Sequence, residues 1–366
     1  MQLSIAREEI LKPIQQVIGA VERQQTIPAL SNLLLQENKG GLTFTATDLE
    51  IELVAHYEMQ VEGIDSVTIP ARKLLDICLS LPKDSQVEVR SGNGRVEVSS
   101  GRSRFSLATV PVEDFPYLHD IELGDSIVLQ QDELKGLIDR TSFAMAQQDV
   151  RYYLNGLLLE IDAGQIRAVA TDGHRLALGQ LERESDVEGT RQIILPRKGV
   201  QELQRLLTQE DSPVTLSLGK GHARAEFTGL QFTSKLIDGR FPEYQRVLPE
   251  QGENCIRVDK NTLKQALMRV AILCNEKYRG VRLIMDCDTL RIQTHNPSQE
   301  EAEDEIGAEY SGEKLEVGFN VQYLLDVLAV LDSETVEMYI QDGNSSVLIM
   351  TPDDAGNRYV IMPMRL

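Results

Sequence analysis

One pattern runs three times, end to end, through the 366 residues of this chain. Leu11, Leu134 and Leu263 hold equivalent places in the segments EILKPIQQVIGAV, ELKGLIDRTSFAMA and TLKQALMRVAIL, and they lie 123 and 129 residues apart. Pro70, Pro196 and Asn320 mark a second segment, IPARKLLDICLSLP, LPRKGVQELQRLL and FNVQYLLDVLAVL, at spacings of 126 and 124. Solenoid repeats recur every 20–50 residues or so. A period of about a third of the chain is instead a whole domain in triplicate, within the roughly 100–200 residues typical of one domain. The expected domains are 1–122, 123–250 and 251–366, joined through Tyr117–Asp125 and Val247–Asn254.

Within each third the pattern switches between helical and strand periodicity. Leu263, Leu267, Val270, Ala271 and Cys274 share one helix face, whereas Val87-Val89 and Val96-Val98 alternate as half-buried strands do. Ser91–Gly94 and Gln341–Asn344 read as hairpin tips. Two helices and about eight strands per third give an α+β fold of three tandem similar domains, each with two helices packed on antiparallel sheet. The spacing predicts helices over 6–18, 70–81, 132–146, 196–208, 260–274 and 320–331.

Net charge argues against a nucleic-acid binder. The chain has 37 basic and 57 acidic side chains, a formal charge of −20, and lacks the basic domain such proteins show. The placement of charge says otherwise. The six predicted helices carry 12 Lys and Arg against 8 Asp and Glu, so they are +4 and the remainder is −24. Fields act within a Debye length of about 8 Å, so an acidic protein can still present a basic face. Charge also separates between Arg102–Leu107, with two arginines, and the acidic run Gln299–Glu305. One reading is solvated surface; the other is a head-to-tail contact between the first domain of one copy and the third of another, steered by opposite charge.

No catalytic constellation stands out. Leu218-Gly219-Lys220-Gly221 lacks the rest of a phosphate loop, and His56, His119, His174, His222 and His295 show no metal-ligand spacing. Thr171–Arg175 reads as a polar turn. Cys78, Cys255, Cys274 and Cys287 fit neither a zinc site nor a redox pair, and read as buried thiols in a reducing compartment. No apolar run approaches the roughly 18 residues of a membrane span, and the N-terminus has no secretory pattern. These features point to a cytoplasmic, non-catalytic protein without cofactor or metal. From them alone, an acidic scaffold that binds only proteins stands beside a DNA-encircling ring.

Longer segments favour the ring, while the scaffold stays open if the helical charge is incidental. DVRYYLNG (149–156), ATDGHRLA (170–177), PRKG (196–199), FTSKLIDGRFPEY (232–244), NEKYRGVRL (275–283), HNP (295–297) followed by QEEAE (299–303), and the terminal VIMPMRL (360–366) closely resemble the DNA polymerase III beta-subunit family, the bacterial sliding clamps. The likeness spans the whole chain in order.

The resemblance implies a closed ring of two head-to-tail copies, helices lining the hole and sheets outside. Such a ring encircles duplex DNA regardless of sequence and tethers the replicative polymerase, conferring processivity. It implies DNA contacts at Arg7, Lys12, Gln15, Arg72, Gln148, Tyr152, Tyr153, Lys198, Arg205, Arg269, Arg279 and Arg282, with Asp149 in the same loop as Gln148. At Gln24 the family pattern has an arginine; Arg23 stands beside it here. The resemblance further implies a dimer interface pairing Phe105 and Leu107 with Ile272 and Leu273, where Lys73, Arg102 and Arg104 face Glu300, Glu301, Glu303 and Asp304. A partner-peptide pocket would use Arg151, Leu154, Thr171, Gly173, His174, Arg175, Leu176, Pro242, Arg246, Val247, Asn320, Tyr323, Ser346, Val360, Met362, Pro363, Met364 and Arg365. Its expected occupants are short hydrophobic motifs of the DNA polymerase III catalytic subunit, the clamp loader complex, and other polymerases and repair proteins.

Overall fold

The computed structural model describes residues 2–22, 27–38, 40–59, 65–92, 94–118, 121–208, 210–252 and 254–365. Arg23, Gln24 and Gln25 lie outside them. Six α-helices and twenty-four strands occur among the described residues. The helices are α1 (Arg7–Val17), α2 (Ala71–Ser80), α3 (Gln131–Thr141), α4 (Arg197–Leu206), α5 (Lys260–Ala271) and α6 (Val321–Val330). Each lies where apolar spacing placed it. The third is shorter than expected: α3 stops at Thr141 and a 3-10 turn, Ser142–Ala144, replaces its last turn.

The helix faces follow the spacing. In α1, Ile10, Ile14 and Val17 are buried one turn apart, together with Pro13. In α5, Leu263, Ala266, Leu267 and Val270 are buried, and the Asp259 carboxylate accepts from the Thr262 N–H at 2.7 Å, capping the first turn. Asn320 caps α6 in the same way through the Gln322 N–H, at 2.9 Å. No helix of the described residues is long and apolar enough to cross a membrane.

The sheets ignore the sequence thirds. The chain forms two compact units, one of Met1–Asp132 with Lys198–Leu236, the other of Glu133–Arg197 with Ile237–Leu366. In the first, an eight-stranded antiparallel sheet runs, edge to edge, Val67–Pro70, Asn32–Asn38, Gly41–Thr47, Ile51–Glu58, Leu230–Lys235, His222–Phe227, Pro213–Gly219 and Leu123–Gln130. Its centre is the pairing of Ile51–Glu58 with Leu230–Lys235, strands from different thirds, with Leu53 opposite Phe232. The second unit repeats the design. Its eight strands run Arg191–Pro196, Gly156–Ile161, Gln165–Thr171, Arg175–Glu182, Asp354–Ile361, Val347–Thr351, Thr335–Tyr339 and Cys255–Asp259. Here Leu176 faces Val360 across the equivalent seam.

Each unit adds a four-stranded sheet. One orders Gln2–Ala6, Gln86–Gly92, Arg95–Ser100 and Ser103–Ala108; the other orders Glu301–Gly307, Thr289–His295, Gly280–Asp286 and Leu315–Asn320. The first leaves Ser103–Ala108 as an edge, and the second leaves Glu301–Gly307.

One turn shows the repeat at atomic detail. Between Gly41–Thr47 and Ile51–Glu58, the Thr47 hydroxyl donates to the Ile51 carbonyl (2.8 Å) and Asp48 Oδ1 accepts from the N–H groups of Glu50 and Ile51. One third later, Thr171 donates to the Arg175 carbonyl (2.6 Å) and Asp172 Oδ1 accepts from His174 and Arg175. The left-handed position is Leu49 (φ 74°) in the first copy and Gly173 (φ 88°) in the second.

The cysteines correct one expectation. All four are free thiols, but only Cys78 is buried; Cys255 and Cys274 are half-buried and Cys287 is exposed. Burial pushes the Cys78 thiol up to about 11, so it stays protonated and unreactive at neutral pH.

Candidate functional site

The second unit holds a cavity of about 350 Å³ built at the turn and seam just described. Its lining includes Arg151, Leu154, Thr171, Gly173, His174, Arg175, Leu176, Pro242, Val247, Ser346, Val360 and Met362, twelve of the eighteen residues anticipated for a peptide pocket. Its floor is the apolar core: Leu176, Tyr244 and Val360 belong to a buried cluster with Leu158, Val169, Phe241 and Leu348. At its rim Met362 is 46% exposed, and its N–H donates to the His174 carbonyl at 2.8 Å, extending the seam one residue past the last strand. A flexible thioether over an apolar floor adapts to differently shaped side chains.

Two residues of the lining, Glu243 and Tyr244, were not anticipated. Tyr244 opens the 3-10 turn Tyr244–Val247, and its hydroxyl donates to Glu160 at 2.8 Å. Gln192 (2.6 Å) and Arg167 (2.5 Å) also donate to Glu160. Burial alone would raise the Glu160 carboxyl, but those three donors outweigh it and hold it below its ordinary value. The anchored Tyr244 thus fixes one wall. Phe241-Pro242 lies within the family-like segment 232–244; a signal for Tyr244 as a pocket wall would have needed the Glu160 pairing, which no spacing reveals.

Six anticipated pocket residues lie outside this cavity. Arg246 is exposed and paired with Glu243 at 2.6 Å. Asn320 spends its side chain capping α6. Tyr323 stacks on Arg175, its ring centroid 4.5 Å from the guanidinium carbon. Met364 and Arg365 line a different cavity, beside Tyr278 and Arg282, and the Met364 N–H donates to the Gly318 carbonyl at 2.7 Å. Pro363 lines neither.

Arg175 organises the pocket side facing α6. It is 12% exposed and donates to Asp172 (3.1 Å), Asp326 (2.5 Å) and the Phe143 carbonyl (2.8 Å). Next to it, Arg151 grips Asp149 with two bonds, at 3.0 and 2.8 Å. That pairing holds the Asp149 carboxyl well down, at about 2. The loop leading into the cavity is therefore ordered: the Asp149 N–H donates to Asn155 Oδ1 and Asn155 Nδ2 donates back to the Asp149 carbonyl, each at 2.9 Å. It presents Val150, 95% exposed, and Tyr152, and the rings of Tyr152 and Tyr153 meet edge to face at 5.8 Å.

Most cations anticipated for DNA already hold internal partners. Arg7 donates to the Cys78 carbonyl at 2.8 Å and to Glu8 at 2.6 Å. Arg72 donates to the Val21 carbonyl at 2.7 Å. Lys198 pairs with Asp48 and Glu22. Arg205 pairs with Glu202, Arg269 with Asp304, and Arg282 with Glu316, at 2.6–2.8 Å. Arg279 donates to Gln322 at 2.7 Å. Lys12 and Gln15 are exposed on α1, and among the described residues Lys12 makes no ion pair. Gln148 and Arg279 both have left-handed backbone, at φ 54° and 47°, a strained conformation that clusters at functional loops.

The two edge strands carry the residues anticipated for an interface. On Ser103–Ala108, Arg104 is exposed, Phe105 half-buried and Leu107 buried; Arg102 precedes it, and Lys73 is exposed on α2. On Glu301–Gly307, Glu301 and Glu303 are exposed on one face while Asp304 turns to Arg269. Glu300 is exposed just before it, and past the end of α5 Ile272 is 78% exposed with Leu273 half-buried beside it.

Comparison with known proteins now bears on the whole chain. It matches the DNA polymerase III beta subunit family in its N-terminal domain over residues 1–119, its central domain over 128–243 and its C-terminal domain over 245–365. The beta sliding clamp of Pseudomonas aeruginosa is 50% identical and that of Escherichia coli 47%, each over 100% of both chains. The crystal structure of the Pseudomonas aeruginosa DNA polymerase III subunit beta superimposes with a TM-score of 0.97 at 50% identity, covering 100% of both chains. The chain belongs to the DNA polymerase III beta-subunit family. Its function is that of a DNA sliding clamp, a replication processivity factor with no catalytic step of its own. A clamp needs surfaces rather than a reaction centre, and its residues are spent accordingly: the turn at Thr171–Arg175, which carries reactive residue types, builds a cavity wall.

Proposed function

We propose that two copies of this clamp close head to tail into a ring around duplex DNA, and that the cavity at Leu176 and Val360 takes short hydrophobic segments of its partners. The observation that carries this reading is the cavity itself. It joins an apolar floor, a methionine rim and a fixed arginine, as a pocket for apolar anchors on a peptide requires. The catalytic subunit of DNA polymerase III, the clamp loader and other polymerases and repair proteins compete for it.

The ring closes through the two edges. Unpaired backbone along Ser103–Ala108 of one copy adds to Glu301–Gly307 of the other, and Phe105 and Leu107 meet Ile272 and Leu273. Lys73, Arg102 and Arg104 face Glu300, Glu301 and Glu303 around that apolar centre, and Asp304 joins them by exchanging its Arg269 pair. Duplex DNA is held by Arg7, Lys12, Gln15, Arg72, Gln148, Tyr152, Tyr153, Lys198, Arg205, Arg269, Arg279 and Arg282. Cations already paired with carboxylates or carbonyls give weak, exchangeable phosphate contacts, which carry no sequence information and suit sliding. The test of the pocket is titration of a labelled hydrophobic peptide from the cognate polymerase: binding that Met362→Ala weakens supports it, and binding indifferent to Met362 and Leu176 contradicts it.

A further inference from the structure

Three hydrogen bonds in the second unit link an arginine outside the cavity to the arginine that lines it. Arg279 Nη1 donates to Gln322 Oε1 at 2.7 Å. Gln322 Nε2 donates to Asp326 Oδ1 at 2.7 Å. Arg175 Nη1 donates to Asp326 Oδ2 at 2.5 Å. A guanidinium only donates and an ionised carboxylate only accepts, so the amide between Arg279 and Asp326 has a single orientation that satisfies both. Gln322 and Asp326 stand one turn apart on α6, the spacing at which helix side chains meet.

Both ends are fixed. The Arg279 N–H donates to the Asn275 carbonyl and its own carbonyl accepts from Val321, each at 2.8 Å, so its left-handed backbone is tied to the start of α6. Arg175 is held between the rings of Phe143 and Tyr323, 5.3 and 4.5 Å from their centroids. Its cation is shared by Asp172 and Asp326.

We infer that Gln322 and Asp326 are positioning residues for the pocket arginine, and that through them a phosphate held by Arg279 lowers the cavity's affinity for a partner peptide. The inference rests on the proposed readings of the cavity and of Arg279. Hydrogen bonds in a chain polarise one another. A phosphate that draws Arg279 away leaves Gln322 a poorer donor to Asp326. Asp326 then concentrates its charge on its remaining partner, Arg175, and holds that guanidinium more tightly against α6, leaving it less free to turn to a peptide in the cavity. The two sites are thereby coupled, and by linkage the peptide weakens duplex contact at Arg279 to the same extent.

The experiment is fluorescence anisotropy of a labelled hydrophobic peptide from the cognate polymerase, titrated into the full-length protein free in solution and loaded on a nicked circular duplex. The unaltered protein binds the peptide about threefold more weakly on duplex. Gln322→Leu, at a residue lining neither site, binds peptide and duplex but shows the same peptide Kd in both conditions; Arg279→Gln weakens duplex binding and also loses the duplex effect on peptide Kd. A full duplex effect retained in Gln322→Leu overturns the relay, and so does an unaltered protein whose peptide Kd ignores duplex. If the unaltered protein fails to bind the peptide without DNA, the cavity reading has failed first, and the relay falls with it.

Discussion

Arg205 Nη2 donates to the carbonyl of Gln16 at 2.7 Å, and Nη1 of the same guanidinium donates to that of Gln15 at 3.2 Å. Both carbonyls lie in the last turn of α1, where they have no intrahelical donor and the helix dipole is negative. A residue that family likeness assigns to DNA is thus also a helix cap.

The dual role separates two variants. Arg205→Ala removes the cap and the Glu202 pair from a side chain 40% exposed, which costs about 1 kcal/mol. Lys12→Ala, on an exposed and unpaired cation, leaves the thermal midpoint unchanged. Both weaken duplex binding. Differential scanning calorimetry with binding at two salt concentrations checks the pair; equal stability would show that the cap contributes nothing.

Gly173→Ala should damage the pocket from behind. The backbone there is left-handed at φ 88°, and an added Cβ would come within 2.9 Å of Arg151 Nη1. The strain is about 1–2 kcal/mol, and the displaced Arg151 and turn weaken peptide binding several-fold. An alanine variant with unaltered melting and unaltered peptide affinity would refute this account of the turn.

The interface reading makes Ile272 the most informative position. It is almost fully exposed, so Ile272→Asp costs the isolated fold little. It does place a charge at the apolar centre of the proposed contact. Light scattering should report monomers with an unchanged circular dichroism spectrum, and Phe105→Asp should do the same. A persisting dimer in both would exclude these edges as the interface.

The Asp149 carboxyl offers a pH test. Arg151 holds its pKa at about 2, below the ordinary carboxylate value of roughly 3.9. A depressed folded value means that its contribution to loop order is complete above the unfolded pKa and disappears as pH falls through about 2. Carboxyl carbon NMR should therefore find Asp149 still ionised at pH 3, with a titration midpoint near 2. A midpoint at the ordinary value would mean that the Arg151 grip does not exist in solution.

Much of this fold is legible in the sequence because its signals are local. Leu263, Leu267 and Val270 declare α5, and Thr47-Asp48 and Thr171-Asp172 encode the same turn twice. The fusion of thirds into shared eight-stranded sheets is not legible. Strands such as Ile51–Glu58 and Leu230–Lys235, at the centre of their sheet, join through backbone groups that every residue possesses, so no side-chain pattern names the partner. Thr171, Arg175, Leu176 and Val360, near the repeat motifs, line one cavity. Asn320, Tyr323 and Met364 did not join them, because each is committed elsewhere: to a cap, to Arg175 and to Gly318. The internal pairs of Arg7, Lys198 and Arg269 were equally invisible, since they span long separations. The net charge of −20 misled for the same reason, since a sum over the chain discards where each charge sits.

Encirclement is the central claim, and topology tests it directly. The protein is loaded onto a nicked circular duplex, isolated by gel filtration in moderate salt, and the circle is then cut once. The account predicts retention on the circle and loss within minutes of linearisation, as a ring slides off the ends. Equal retention before and after cutting, or none on the circle, would contradict it.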